Sequence, residues 1–352
     1  MKRHANLWEQ LTSFENIHLA FKKAIKGKGY KPYTMQFIEN LEHNLITIQS
    51  QLIDKTYHPG NYRTFFIYEP KKRMISAAPF VDRIVHHCLI NIIGPIFEGT
   101  FIAQSYANQT GKGSHKAIRY VQAMMQKSNY IMHCDIRKYF PSIDHDILKA
   151  LIHRKIKDPN VLWLIHLIID NSNPQEMVVD YFPGDNLFSP IERRKGLPIG
   201  NLTSQFFANI YLNGFDHFVK QTLNCHFYAR YVDDFVVADS DKKILWEKCQ
   251  EMECYLEKLR LRIHPDKKHV RPVKQGLRFL GQFIYPDRRL LPKENIRRFM
   301  RRMKQFQKLY SQGDVSLEDI NHSLQSWLGH AKQANSFALR RDLMRKITFE
   351  RK

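Results

Sequence analysis

The chain has 352 residues, 43% hydrophobic and 12% aromatic, enough for a sizeable core spread over two or three subdomains rather than one minimal domain. Its 55 Lys and Arg against 34 Asp and Glu leave a formal charge of +21, which points to a polyanionic partner, nucleic acid before membrane. The five cysteines (Cys88, Cys134, Cys225, Cys249, Cys254) form no CxxC pair and no zinc-like spacing with histidine. No signal-peptide apolar core opens the chain, and its longest apolar run, VLWLIHLIID, is about half of what spans a bilayer. A cytoplasmic protein with reduced thiols and no membrane partner is expected.

In chain order, residues 7–25 and 35–53 carry helix-like apolar spacing, separated by the basic KGKGYKPY. From Tyr62 to Phe80 the period shifts toward two, with Pro70 and Lys71-Lys72-Arg73 at a basic turn, as in a β-hairpin. VDRIVHHCLINIIGPIF returns to helical spacing. NYIMHCDI reads as a buried strand ending at Asp135, and SIDHDILKALIHRKI as a helix with acids in its first turn. KGLPIG is a loop and NLTSQFFANIYLNGFDHFVKQTL a long helix.

FYARYVDDFVVADS is a hairpin of two short strands with Asp233 and Asp234 between them; the pair either makes an ordinary turn or faces a cation. SDKKILWEKCQEMECYLEKLRL is helical and LRFLGQFIYPDRRLL another hairpin. In NIRRFMRRMKQFQKLY, Ile296, Phe299, Met300, Met303, Phe306 and Tyr310 share one face. Arg297, Arg298, Arg301, Arg302, Lys304 and Lys308 occupy much of the rest and suit a phosphate backbone. Ser316 and Asp319 can cap a last helix carrying Ile320, Leu324, Trp327 and Leu328.

A hairpin presenting Asp233 and Asp234 beside a strand ending in Asp135 would gather three carboxylates, which repel unless cations neutralise them. Mg²⁺ suits such hard oxygen ligands, and a pair of ions can activate a 3′-hydroxyl and stabilise a leaving pyrophosphate. Asp144, Asp146, Asp239 and Asp241 are assigned instead to helix starts and turns.

CDIRKYFPSID, KGLPIGNLTSQFFANIYL, RYVDDFVV, LRLRIHPDKKHV and GLRFLGQFIYP occur in that order. Together they resemble the fingers and palm motifs of reverse transcriptases over roughly residues 60–290. The resemblance implies an α+β right-hand polymerase fold with fingers, an antiparallel-sheet palm covered by helices, and a helical thumb. The expected divisions are an N-terminal helical extension at 1–58, fingers and palm at 59–287 and a basic thumb at 288–352. It implies RNA-templated DNA synthesis, with a template RNA, an RNA–DNA duplex and dNTPs as partners.

Carried over by motif, Asp135, Asp233 and Asp234 match the aspartates that bind two Mg²⁺ ions (or Mn²⁺), with the Ile136 carbonyl as auxiliary ligand and Asp234 in less direct contact. Phe140 matches the residue that rejects a ribose 2′-hydroxyl. Lys71, Lys72 and Arg73 match the fingers tip over the triphosphate, and Ile199, Gly200 and Gln205 complete the dNTP-binding set. Lys267, beside Lys268, matches the lysine proposed to protonate pyrophosphate. FLGQFI would be the primer grip.

Many relatives carry Pro-Gln-Gly where this chain has Pro198-Ile199-Gly200; losing a polar contact there should loosen base discrimination. LPIGNLTSQ, SYANQTGKGSHKA and WLGHAKQANS resemble the enzymes of diversity-generating retroelements, which copy a template RNA with errors at adenines and work with a small basic accessory protein. The alternatives are a phage-defence reverse transcriptase acting with a structured noncoding RNA, an inactive RNA-binding module of the same fold, and an RNA-dependent RNA polymerase. Intact Asp135, Asp233 and Asp234 speak against the inactive module, and Phe140 against the RNA polymerase.

Overall fold

In the computed structural model, residues 3–68 and 72–350 are described. Both predicted N-terminal helices are broken in two. Ser13 leaves helical geometry and caps the next helix by accepting from the Asn16 amide, giving Trp8–Thr12 and Phe14–Ile25. Pro32–Glu39 and Leu41–Ile53 likewise part at Asn40. The apolar sides of these helices cover Phe80–Glu98, whose Ile84, Val85, Leu89 and Ile93 are fully buried. Among the described residues Phe80–Glu98 alone is long and apolar enough to cross a membrane, and 56% of that stretch is buried in the core.

Strands β1 (Arg63–Ile67) and β2 (Arg73–Ala77) form the expected antiparallel hairpin. Lys71, expected at its tip, lies outside the described residues. β1 is exposed along its whole length, so the hairpin depends on its base. There Asp82 accepts hydrogen bonds from the Tyr57 hydroxyl (2.7 Å) and the Gly60 amide (2.9 Å).

The central sheet has the order β4-β5-β3-β6, all antiparallel: β3 is Tyr130–Asp135, β4 Phe227–Tyr231, β5 Asp234–Asp239 and β6 His269–Pro272. Side-chain alternation divides its residues between two cores. Met132, Cys134, Tyr228, Phe235 and Val237 join a large cluster with helices Leu202–His217 and Lys242–Lys258, which continues without a break into Leu11, Ile17, Leu45 and Leu52 of the N-terminal helices. Ile131, Ala229, Val236 and Ala238 face helix Ser114–Gln126 and a small sheet of β7 (Leu277–Phe279), β8 (Gln282–Ile284) and β9 (Arg289–Leu290). The last hairpin read from the sequence is therefore three strands.

The basic C-terminal region forms helices Lys293–Gln312, Leu317–Ala331 and Phe337–Met344 around their own small clusters, with Phe299 stacked on Trp327 at 3.8 Å. Ser316 and Asp319 form the expected reciprocal cap. A hairpin, a helix-covered antiparallel sheet and a helical bundle thus correspond to fingers, palm and thumb.

Asp82→Ala would strand the Tyr57 hydroxyl and the Gly60 amide at the hairpin base. We expect it to lower stability by about 2–3 kcal/mol, read by urea unfolding, whereas Tyr57→Phe should lose less.

Candidate active site

The end of β3 and the start of β5 determine where the acids meet. Asp135 lies directly opposite Asp234, and the pairing of Tyr231 with Asp234 leaves Val232 and Asp233 as a two-residue turn. The Asp233 carbonyl accepts from the Ile136 amide at 3.0 Å, stitching that turn to the chain leaving β3. Three carboxylates separated by nearly a hundred residues are thereby brought to one sheet end.

The charges are compensated unequally. Lys267, in a short turn after helix Lys242–Lys258, donates to Asp135 at 2.6 Å, while Lys268 turns away to Glu253 at 2.8 Å. His133 contacts Asp234 at 2.5 Å and stands edge-on to Phe279. Asp233 has no ion-pair partner among the described residues. Burial first, then the neighbouring charges of Asp135 and Asp234, push its pKa up to about 6 against the opposing effect of Lys267.

Among the described residues no three ligating side chains converge on one point, because Asp135 is turned to Lys267 and Asp234 to His133. The donor set is nevertheless hard oxygen throughout, and an under-neutralised acid between two others suits a divalent cation.

Beneath the turn, Arg230 is 1% exposed and fully engaged. Its guanidinium grips both oxygens of buried Asp216 at 2.7 and 2.6 Å and donates to the Val232 carbonyl at 2.9 Å. Asn209 Oδ1 and Ser105 Oγ complete its shell.

The remaining expected residues distribute as follows. Ile136 is buried at the end of β3. Phe140 is half-buried against Tyr139, its carbonyl bonded to the Leu197 amide at 2.9 Å. Lys72 and Arg73 are exposed at the outer part of the hairpin, with Lys72 over the Phe66 ring. The inner part is tied to the loop after Pro198. The Ile199 carbonyl accepts from the Ser76 amide at 2.9 Å, and the buried Asn201 side chain bonds both the Ala78 amide and the Ser76 carbonyl. A Cβ on Gly200, whose φ is +120°, would meet Ile75 at 3.0 Å.

Gln205 departs from expectation. One turn into helix Leu202–His217, it lines a separate 520 Å³ cavity with His87, Asn108 and Thr110. Arg297, Arg298, Arg301, Arg302, Lys304 and Lys308 are all exposed and without an anionic partner among the described residues. Asp144 and Asp241 cap helices, Asp146 lies in a first helical turn, and Asp239 pairs with Lys248.

Three residues with evident roles here escaped the sequence reading: His133, Asn201 and Arg230. Alternation along β3 places His133 on the face of Asp135, and an arginine inside an otherwise apolar strand was a signal that a buried partner existed.

Asp233 carries a pKa raised from 3.8 to about 6. In the metal-free protein the resulting penalty is absent below pH 3.8, grows as pH rises, and is complete above about 6. Asp233→Asn should therefore raise stability at pH 7.5 in chelator by about 1–3 kcal/mol, with the gain fading as pH falls through 6 toward 4. Urea titrations across that range check it.

A family model described as "Reverse transcriptase (RNA-dependent DNA polymerase)" matches residues 64–284. Protein YkfC of Escherichia coli strain K12 is 25% identical over 302 residues, covering 72% of this chain and 76% of that protein. The group II intron-encoded protein LtrA of Lactococcus lactis subsp. cremoris is 27% identical over 183 residues, 51% of this chain but 29% of its own length. Nuclear intron maturase 2, mitochondrial, of Arabidopsis thaliana is 26% identical over 182 residues, 47% of this chain and 25% of its own. Among solved structures, apo telomerase from Candida tropicalis truncated from its C-terminal domain aligns with a TM-score of 0.46 at 14% identity, over 70% of this chain and 59% of that one.

Proposed function

We propose, for a chain that belongs to the reverse transcriptase family of RNA-directed DNA polymerases, that it makes cDNA from a dedicated template RNA at the carboxylates Asp135, Asp233 and Asp234. The observation that carries this reading is the pairing of Asp135 opposite Asp234 with Asp233 in the adjoining turn. Two Mg²⁺ ions, or Mn²⁺ in their place, held by these aspartates and the Ile136 carbonyl, would supply the Lewis acidity for attack by a 3′-hydroxyl and departure of pyrophosphate.

The other steps belong to side chains. Lys267, bonded to Asp135, holds a proton at Nζ for the leaving pyrophosphate. Phe140 closes the space a ribose 2′-hydroxyl would need. Lys72 and Arg73, with Lys71, meet the triphosphate from the fingers. The exposed cations Arg297, Arg298, Arg301, Arg302, Lys304 and Lys308 of helix Lys293–Gln312 follow the phosphates of the RNA–DNA duplex.

The finer role we propose is error-prone copying for a diversity-generating retroelement, with a small basic accessory protein. Ile199 supports it: its carbonyl is fixed by Ser76, and an apolar side chain stands where many relatives carry glutamine.

Primer extension on an RNA template tests the reading. Asp233→Asn combined with Asp234→Asn should reduce dNTP incorporation to background; surviving extension would refute the metal assignment. Phe140→Ala should improve the use of NTPs relative to dNTPs by about 10–100-fold. Ile199→Gln should lower misincorporation opposite template adenines, read by sequencing the cDNA. Faithful or repetitive cDNA from the unaltered enzyme would instead favour phage defence with a noncoding RNA.

A further inference from the structure

Val232, the first residue of the turn that carries Asp233, has a φ of +61°. A β-branched side chain adopts that conformation only where its surroundings impose it. The Ile136 amide holds the turn from the β3 side through the Asp233 carbonyl. From below, the Val232 carbonyl is held by Arg230 Nη1 at 2.9 Å.

Arg230 is itself immobilised. Nε and Nη2 engage the two Asp216 oxygens, and Nη2 also reaches Ser105 Oγ at 3.2 Å. Asp216 is fully buried in helix Leu202–His217 and accepts in addition from the Tyr228 hydroxyl at 2.7 Å. A planar guanidinium can satisfy a carboxylate with one edge while a further donor points elsewhere in a fixed direction, which an ammonium group does not reproduce.

A buried ion pair contributes little net stability over well-packed apolar residues, so core stability alone does not account for this one. What it delivers to the site is direction. The helix beneath the palm sheet is connected, through two rigid side chains, to the backbone atom preceding Asp233. From this geometry we infer that Arg230 is a positioning residue for nucleotidyl transfer: anchored on Asp216, it holds the Val232 carbonyl and with it the strained turn, so that the Asp233 carboxylate faces Asp135. The inference rests on the reading of Asp233 as a metal ligand.

Single-turnover incorporation of one dNTP, and Mn²⁺ binding followed by electron paramagnetic resonance, test it on the full chain. The variants are Arg230→Lys, the pair Asp216→Leu with Arg230→Met, and that pair with Val232→Gly added. Arg230→Lys keeps the charge against Asp216 but loses the fixed fork. The apolar pair removes both charges together and should stay folded, its thermal midpoint lowered by a few degrees because the buried Tyr228 hydroxyl loses its acceptor. In both, incorporation should slow by about 100-fold, the effect of a displacement near 1 Å. The KM for dNTP should hold and Mn²⁺ binding should weaken. Val232→Gly, which takes positive φ without strain, should recover part of the rate and of the binding.

Unaltered rate and Mn²⁺ affinity in either folded variant would overturn the inference, as would failure of the glycine to recover either. If the apolar pair does not fold, Arg230→Lys decides by the same two readouts. If the unaltered protein extends no primer, the polymerase reading fails, and Mn²⁺ binding across the series still decides the role of Arg230.

Discussion

Mutual repulsion among Asp135, Asp233 and Asp234 is the constraint around which this molecule is arranged. Like charges held at one sheet end need opposing charge and firm backbone. The chain supplies charge through Lys267, which donates to Asp135, and a ring contact from His133 to Asp234, while Asp233, without an ion-pair partner among the described residues, has its pKa raised to about 6. The backbone is fixed by the β3–β5 register, the Ile136 stitch and the Arg230–Asp216 pair below. The surrounding helices bury that pair and so exclude water from it.

The same economy governs the join between hairpin and sheet. β1 has almost no buried surface, so the hairpin is located by a few polar contacts: Asp82 at its base, and Ser76 and Ala78 on the loop around Ile199 and Asn201. Hydrogen bonds set direction where apolar area is scarce. This leaves the faces of β1 free and brings Ile199 into register with the fingers.

Much of this was legible in the sequence because it is local. Apolar alternation around Asp135 and on both sides of Asp233 gave the strands, and the order of motifs gave their company. What escaped depends on distant partners. Asp216 lies on another element from Arg230, and Asn201 reaches back more than a hundred residues to Ser76. Gln205 was grouped with Ile199 and Gly200 through the motif they share, yet a helix begins at Leu202 and places it in a pocket lined by His87. The breaks at Ser13 and Asn40 were hidden because apolar spacing stays nearly in phase across them. Lys267 and Lys268 differ only in which way a short turn aims each ammonium.

The unbroken cluster that joins Leu11, Ile17 and Leu45 to Met132, Cys134 and Phe235 has a consequence for cooperativity. The N-terminal helices and the strand bearing Asp135 share one apolar interior, so opening the former exposes the back of the latter, and the two lose order together. The basic helices from Lys293 onward close over interiors of their own. They can shift or fray on a separate free-energy scale, so this basic surface can move while the acids stay aligned.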